Sequence, residues 1–178
     1  MPATIAIGRP GTDEYAPIYA GYVQQITGDD VLPVLAAQLH QMEPLLHGIT
    51  EERGLHRYAS GKWSVKEVLN HLSDSERVFA YRALRFARAD ATPLPSFDEN
   101  AWVPASGSDR RPIAEIVGEL RAVRAASRGL FESLDAEAIG RRGEASGRPI
   151  SVRALAWIIA GHTQHHVAIL RDRYGCGV

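Results

Sequence analysis

The sequence predicts an all-α protein, a four-helix bundle with a long connection between its second and third helices. Three observations predict it. Four long segments repeat apolar residues at helical spacing, no segment shows convincing strand alternation, and no internal repeat recurs at a fixed period. At 178 residues the chain fits one domain with room for a real core.

Residues 1–27 carry Pro2, Pro10, Pro17 and several glycines without sustained periodicity. They are expected to form an extended N-terminal arm on the outside of a bundle that occupies residues 28–178. The first long helix begins near Asp29, with Thr27, Asp29 and Asp30 as candidate caps. Leu32, Leu35, Leu39, Met42 and Leu46 supply its apolar face, and Pro44 should kink it or end it nearby. RYASGKW (57–63) reads as a turn into the clearest helix start in the chain. There Ser64-Val65-Lys66-Glu67 has the form of a capping box, in which serine and glutamate each satisfy an orphan backbone N–H. That second long helix should run to about Ala89, where Pro93 and Pro95 stop it.

Residues 90–111 are expected to be a long, mostly irregular connection, either a crossover or a segment that covers a site. The third helix opens at Pro112 and runs to about Leu134, with a short turn of helix after it at 135–139. Residues 141–148 read as a polar, glycine-containing loop. The fourth helix runs from Ser151 to about Tyr174, where Gly175 and Gly177 end it.

The overall charge excludes several function classes. Twenty basic against 21 acidic side chains leave a net charge of -1, so nothing favours nucleic acid or an anionic membrane surface. No stretch reaches the ~18 apolar residues of a membrane span. The beginning of the chain has no apolar run flanked by positive charge, so a cytoplasmic protein is expected. The single cysteine, Cys176, forms no disulfide within the chain and is expected to be inert on a fraying terminus. Arg121, Arg124 and Arg128 read as a solvated cluster.

Seven histidines occur, and GHTQHH on the fourth helix gathers three of them. His162 and His166 lie about 40° apart on that helix, one turn above the other, and can grip one metal ion. Leu155, Ile158, Ile159, Ile169 and Leu170 surround them, so the pair faces the core. His165 sits at the edge of the stripe and is a less central partner for His162. Facing helices of a bundle can complete such a site. The second helix offers His71, although its strongest apolar face, through Val68, Leu72, Phe79 and Phe86, is centred about 80° away. His40, His47 and His56 have no partner spacing and read as surface or loop residues. Trp157 lies opposite the histidines among small residues, as an exposed contact for the arm or a second copy. Trp63 and Trp102 read as packing anchors.

GKWSVKEVLNHLSDSERVFAYRALR (61–85), PLPSFDENAWV (93–103) and SVRALAWIIAGHTQHHVAILRDRYG (151–175) resemble the DinB-like (DinB/YfiT) superfamily of bacterial four-helix-bundle metalloproteins. The resemblance spans about residues 28–175. Mapped onto this chain, it implies His71, His162 and His166 as the ligands of one divalent transition metal ion, zinc or nickel. It also implies a homodimer as a common assembly. Three imidazoles would leave a coordination position open for water or substrate. Two chemistries follow: metal-dependent hydrolysis of a small molecule, or S-transfer with a low-molecular-weight thiol, which some members of the superfamily perform. The competing class is a non-catalytic structural or stress-response protein, in which the metal braces the bundle or senses a ligand or stress. Asp74, three residues after His71, is the candidate general base, with Asp98 on the covering segment behind it. Arg82 points within about 20° of His71's direction. It can bind an anionic substrate, or it can pair structurally with Glu119, Glu115 or Asp98.

Overall fold

The computed structural model describes residues 5–177; Val178 and the first four residues of the arm lie outside the described residues. Its helices are α1 (Ala20–Gln25), α2 (Val31–His47), α3 (Glu51–Gly54), α4 (Val65–Ala87), α5 (Glu99–Ser106), α6 (Ile113–Glu132), α7 (Ala136–Gly140) and α8 (Val152–Asp172). The four long helices α2, α4, α6 and α8 form the bundle. α4 packs on α6 and α8, and α2 packs on the same two from the opposite side. Consecutive α2 and α4 therefore lie across a diagonal, while α4 and α6, joined by the long connection, are neighbours. Helices α4 and α6 run parallel, with Lys66 reaching the Arg111 carbonyl near their starts and Arg77 pairing with Glu119 further along. The connection is therefore a crossover that returns along the bundle and lines the histidine cleft on its way.

Local chemistry sets the helix starts. Ser64 accepts from Glu67 N at 3.0 Å and Glu67 reaches back to Ser64 N at 2.8 Å, completing the capping box. Asp30 caps α2, Asp98 caps α5 and Ser151 caps α8. Helix α2 passes Pro44 and ends three residues later. Within the long connection, the eight residues of α5 are a correction to the irregular reading. A segment so short, with Pro104 inside it, carries almost no periodic signal.

Residues 142–151 correct the reading further. They form an antiparallel hairpin, β1 (Arg142–Ala145) with β2 (Arg148–Ser151), in register Gly143 to Ile150. Ser146 and Gly147 turn it with φ of 55° and 70°, the pair of positive angles that two-residue hairpins favour. Leu94 adds a backbone pairing beside Ala145. RGEASGRPIS shows no apolar alternation, because its buried residues, Ala145, Ile150 and Ser151, do not alternate along either strand.

The arm is more deeply integrated than an outer strap. Ile7 is fully buried, and its carbonyl accepts from the Trp157 indole at 3.1 Å. The guanidinium of Arg9 lies 4.4 Å from the Trp157 ring centroid. Trp157 is therefore covered by the chain's own arm and is not exposed. Helix α1 crosses α8 at Gly161, where a Cβ would come within 2.1 Å of the Tyr22 carbonyl oxygen. Only glycine allows that approach, and it carries Tyr22 to the histidines.

Two other surface expectations fail. Cys176 packs in the core cluster with Leu45 and Tyr174, and burial pushes its thiol up. Arg124 is 2% exposed and forms a two-pronged pair with Glu76 at 2.8 and 2.9 Å. Gln38 and Thr163 accept from it at 2.9 Å each and the Leu35 carbonyl at 3.4 Å. Arg121 pairs with Glu43 and Arg128 with Glu132, both near the surface. No helix of the described residues is long and apolar enough to cross a membrane.

Candidate metal centre

Two helices bring three imidazoles together. On α8, His162 and His166 stack at helical spacing, with Nε2 atoms 3.1 Å apart. From α4, His71 places its Nε2 3.0 Å from that of His162. One ligand atom of each ring lies within 4.8 Å of the others. His71 reaches the interior although it sits off the main apolar face of α4, because α6 and α8 bury that helix from two sides. His165 lines the same cleft but stays outside the cluster, its ring 5.4 Å from that of Tyr22. His40, His47 and His56 are exposed.

The three rings are 7%, 6% and 8% exposed in chain order. Burial pulls the imidazole of His71 down to about 4. Burial, with the neighbouring His71 and His165, pulls His166 down to about 3. The most buried, His162, is held well below its usual range by the same causes. All three are therefore neutral at neutral pH, the form that donates a lone pair to a metal.

The donor set fits a metal better than it fits itself. A neutral ring nitrogen offers either one proton or one in-plane lone pair. His162 Nε2 faces two other Nε2 atoms, and only one of those contacts can be a well-formed hydrogen bond. Two nitrogens each about 2.0–2.1 Å from a shared ion stand about 2.9–3.4 Å apart, depending on the angle between them. The 3.0 and 3.1 Å separations from His162 fall in that range. Ser75 Oγ lies beside the His71 ring, 3.3 Å from Nδ1 and 3.5 Å from Nε2. The Nδ1 of His166 is buried with no partner among the described residues.

A cleft of about 300 Å³ opens over the rings. Tyr19 and Tyr22 from the arm form one wall, and Trp63 another, its ring 4.8 Å from that of His71. Phe97 and Glu99 come from the long connection, and Ser146 from the hairpin turn. Trp63 is thus a cleft wall as well as an anchor, whereas Trp102 is partly exposed against Phe97.

The polar residues expected to serve this site are arranged differently. Asp74 does not line the cleft. It lies on another flank of α4, accepting from Asn70 at 2.8 Å and facing Arg77 at 3.5 Å. Asp98 is occupied as the α5 cap, taking Asn100 N and Ala101 N. Its neighbour Glu99 is the cleft-lining carboxylate, and its charge adds to the burial that raises the Tyr22 phenol. Nothing periodic marks Glu99; a carboxylate in the first turn of a capped helix is the only signal it leaves. Arg82 is 2% exposed and pairs with neither Glu119, Glu115 nor Asp98. It donates to the Pro95 carbonyl at 2.8 Å and to Ser146 Oγ at 3.0 Å.

A bundle with a buried three-histidine cluster at the foot of a cleft defines the class, and comparison with known proteins places the chain in a family. Residues 35–170 match the family model of the DinB superfamily, and the protein belongs to that superfamily. It is 23% identical over 159 residues to a protein of Oceanobacillus iheyensis named a putative metal-dependent hydrolase, covering 83% of this chain and 87% of that one. A Geobacillus kaustophilus protein of the same description is 27% identical over 133 residues, covering 72% and 75%. Among solved structures, YfiT from Bacillus subtilis matches with a TM-score of 0.67 at 20% identity, over 94% of this chain and 93% of that one. It is described as a probable metal-dependent hydrolase with an unusual four-helix bundle topology.

Proposed function

We propose that this protein is a metal-dependent hydrolase of a small molecule, with one zinc or nickel ion held by the Nε2 atoms of His71, His162 and His166. The observation that carries the reading is the convergence of three buried, neutral imidazoles at the floor of an open cleft. The names of the Oceanobacillus and Geobacillus relatives agree with it. A divalent ion with three protein ligands supplies Lewis-acid chemistry and brings the pKa of water towards neutrality.

The chain's own residues supply the rest. Glu99 takes the role first assigned to Asp74: its carboxylate lines the cleft and accepts the proton of the attacking water. Tyr22, a protonated phenol that burial and the Glu99 charge push further up, lines the same cleft as a hydrogen-bond donor. Trp63, Phe79 and Phe97 supply aromatic surface beside those polar groups for the apolar part of a substrate.

Elemental analysis and a hydrolysis screen of esters, lactones and amides test the proposal. His162→Ala and His166→Ala should each lose stoichiometric metal, and His165→Ala should keep it. Glu99→Gln should lower kcat by about 10²–10⁴ with metal content unchanged. Turnover only in the presence of a thiol would move the reaction to S-transfer. Full metal loading with no turnover, and a large loss of stability on chelation, would make the metal a brace.

A further inference from the structure

Arg82 is buried in the wall beside the cleft with no carboxylate to neutralise it. Among the described residues its partners are a backbone carbonyl, Pro95 O, and the hydroxyl of Ser146. Tyr19 is the other group that bears on it, and burial dominates, pushing the guanidinium down from its usual range. An arginine retained in such surroundings is costly unless a negative charge arrives from elsewhere.

Ser146 connects that charge to the cleft. Its Oγ accepts from Arg82 Nη2 at 3.0 Å, so its own O–H remains available to donate. The same residue lines the histidine cleft and a second hollow of about 520 Å³, whose rim carries Arg148. It is also held at φ 55°, a left-handed conformation that costs a non-glycine residue energy. Phe97 and Tyr19, both cleft walls, close the gap between guanidinium and cleft; the Phe97 ring centroid is 5.8 Å from the Arg82 Cζ.

We propose that Ser146, charged through Arg82, is the anion subsite of this cleft, and that the substrate carries a carboxylate at the end away from the histidines. Arg82 lies eleven residues beyond His71 on α4, roughly 16 Å of helix rise, and its stem leans back towards the histidines. The reacting bond and the carboxylate are therefore separated by a distance on the order of 10 Å. The position of the reacting end rests on the metal-site reading; the anion subsite itself does not.

The test uses the full chain loaded with cobalt(II), titrated with 6-mercaptohexanoate and with 6-mercaptohexan-1-ol. The thiolate-to-cobalt absorption band reports binding of both, and only the first carries the anionic tail. Wild-type protein should bind the carboxylate about tenfold more tightly or better, the range of a hydrogen bond to a charged group. Ser146→Gly, which suits the positive φ and removes the hydroxyl, should bring the ratio close to one without changing cobalt content or affinity for the alcohol. Arg82→Gln should do the same, and Arg82→Lys should keep part of the preference. A wild-type ratio near one, or a ratio unchanged in Ser146→Gly, overturns the proposal whether or not the Arg82 variants fold. If the chain takes up no cobalt, the metal reading fails by itself. Hexanoate and hexan-1-ol, followed by tryptophan fluorescence, then apply the same ratio test to the metal-free chain.

Discussion

Arg124 and Arg82 are equally buried, each 2% exposed, yet they sit in opposite electrostatic surroundings. Arg124 is closed off by the protein itself. Glu76 neutralises it through two contacts, and Gln38, Thr163 and the Leu35 carbonyl accept its other donors. Arg82 has only neutral acceptors, and the three histidines of the neighbouring cleft have no carboxylate among their hydrogen-bond partners either. The first region is satisfied internally and ties α2, α4, α6 and α8 together. The second is left to be completed from outside, by a cation at the rings and an anion at Ser146. Buried polar groups are ordinarily paired, so where the protein leaves them short of partners is where a ligand is to be sought.

The contrast can be broken most forcefully at Glu76. Glu76→Gln leaves Arg124 buried without its counter-charge and should cost about 3–5 kcal/mol in denaturant unfolding, with or without metal. A loss below about 1 kcal/mol would mean that the internal pair matters little to the fold.

The next effect belongs to the histidines and is read as pH dependence of the metal-free protein. Their folded pKa values are depressed, whereas unfolded imidazoles protonate near 6.5. Below that pH the unfolded chain binds more protons, so stability falls as pH drops from 6.5 towards about 4 for His71 and about 3 for His166. The slope should be on the order of 1 kcal/mol per pH unit for each histidine still neutral in the fold. His162→Asn should flatten it, and identical slopes in the two proteins would contradict a buried neutral cluster.

The smallest effect sharpens the comparison. Arg82→Met removes a buried charge along with two hydrogen bonds to neutral acceptors, and should change stability by only about 1 kcal/mol. Were it as damaging as Glu76→Gln in the same unfolding assay, the two regions would not differ in the way their contacts suggest.

Short-range patterns in the sequence carry the helices and half of the candidate site. Apolar spacing and the Ser64–Glu67 box locate α4. The i, i+4 spacing of His162 and His166 puts two imidazoles on one core-facing stripe, because a helix repeats its geometry every turn. What depends on distant partners is not written there. A charge such as Arg124 reads as solvated until Glu76 is set across from it. Asp74 is close to His71 in the chain but turned to another flank, while Glu99, 28 residues on, is carried over the rings by a helix too short to leave a periodic trace. The sequence by itself determined the bundle and the histidine pair, since both follow from local repeats. The family resemblance added His71, which helical spacing alone left off the apolar face. Only the tertiary structure decided that the arm seals Trp157 and that Glu99 and Ser146 reach the cleft, since each depends on helices and turns meeting from remote parts of the chain.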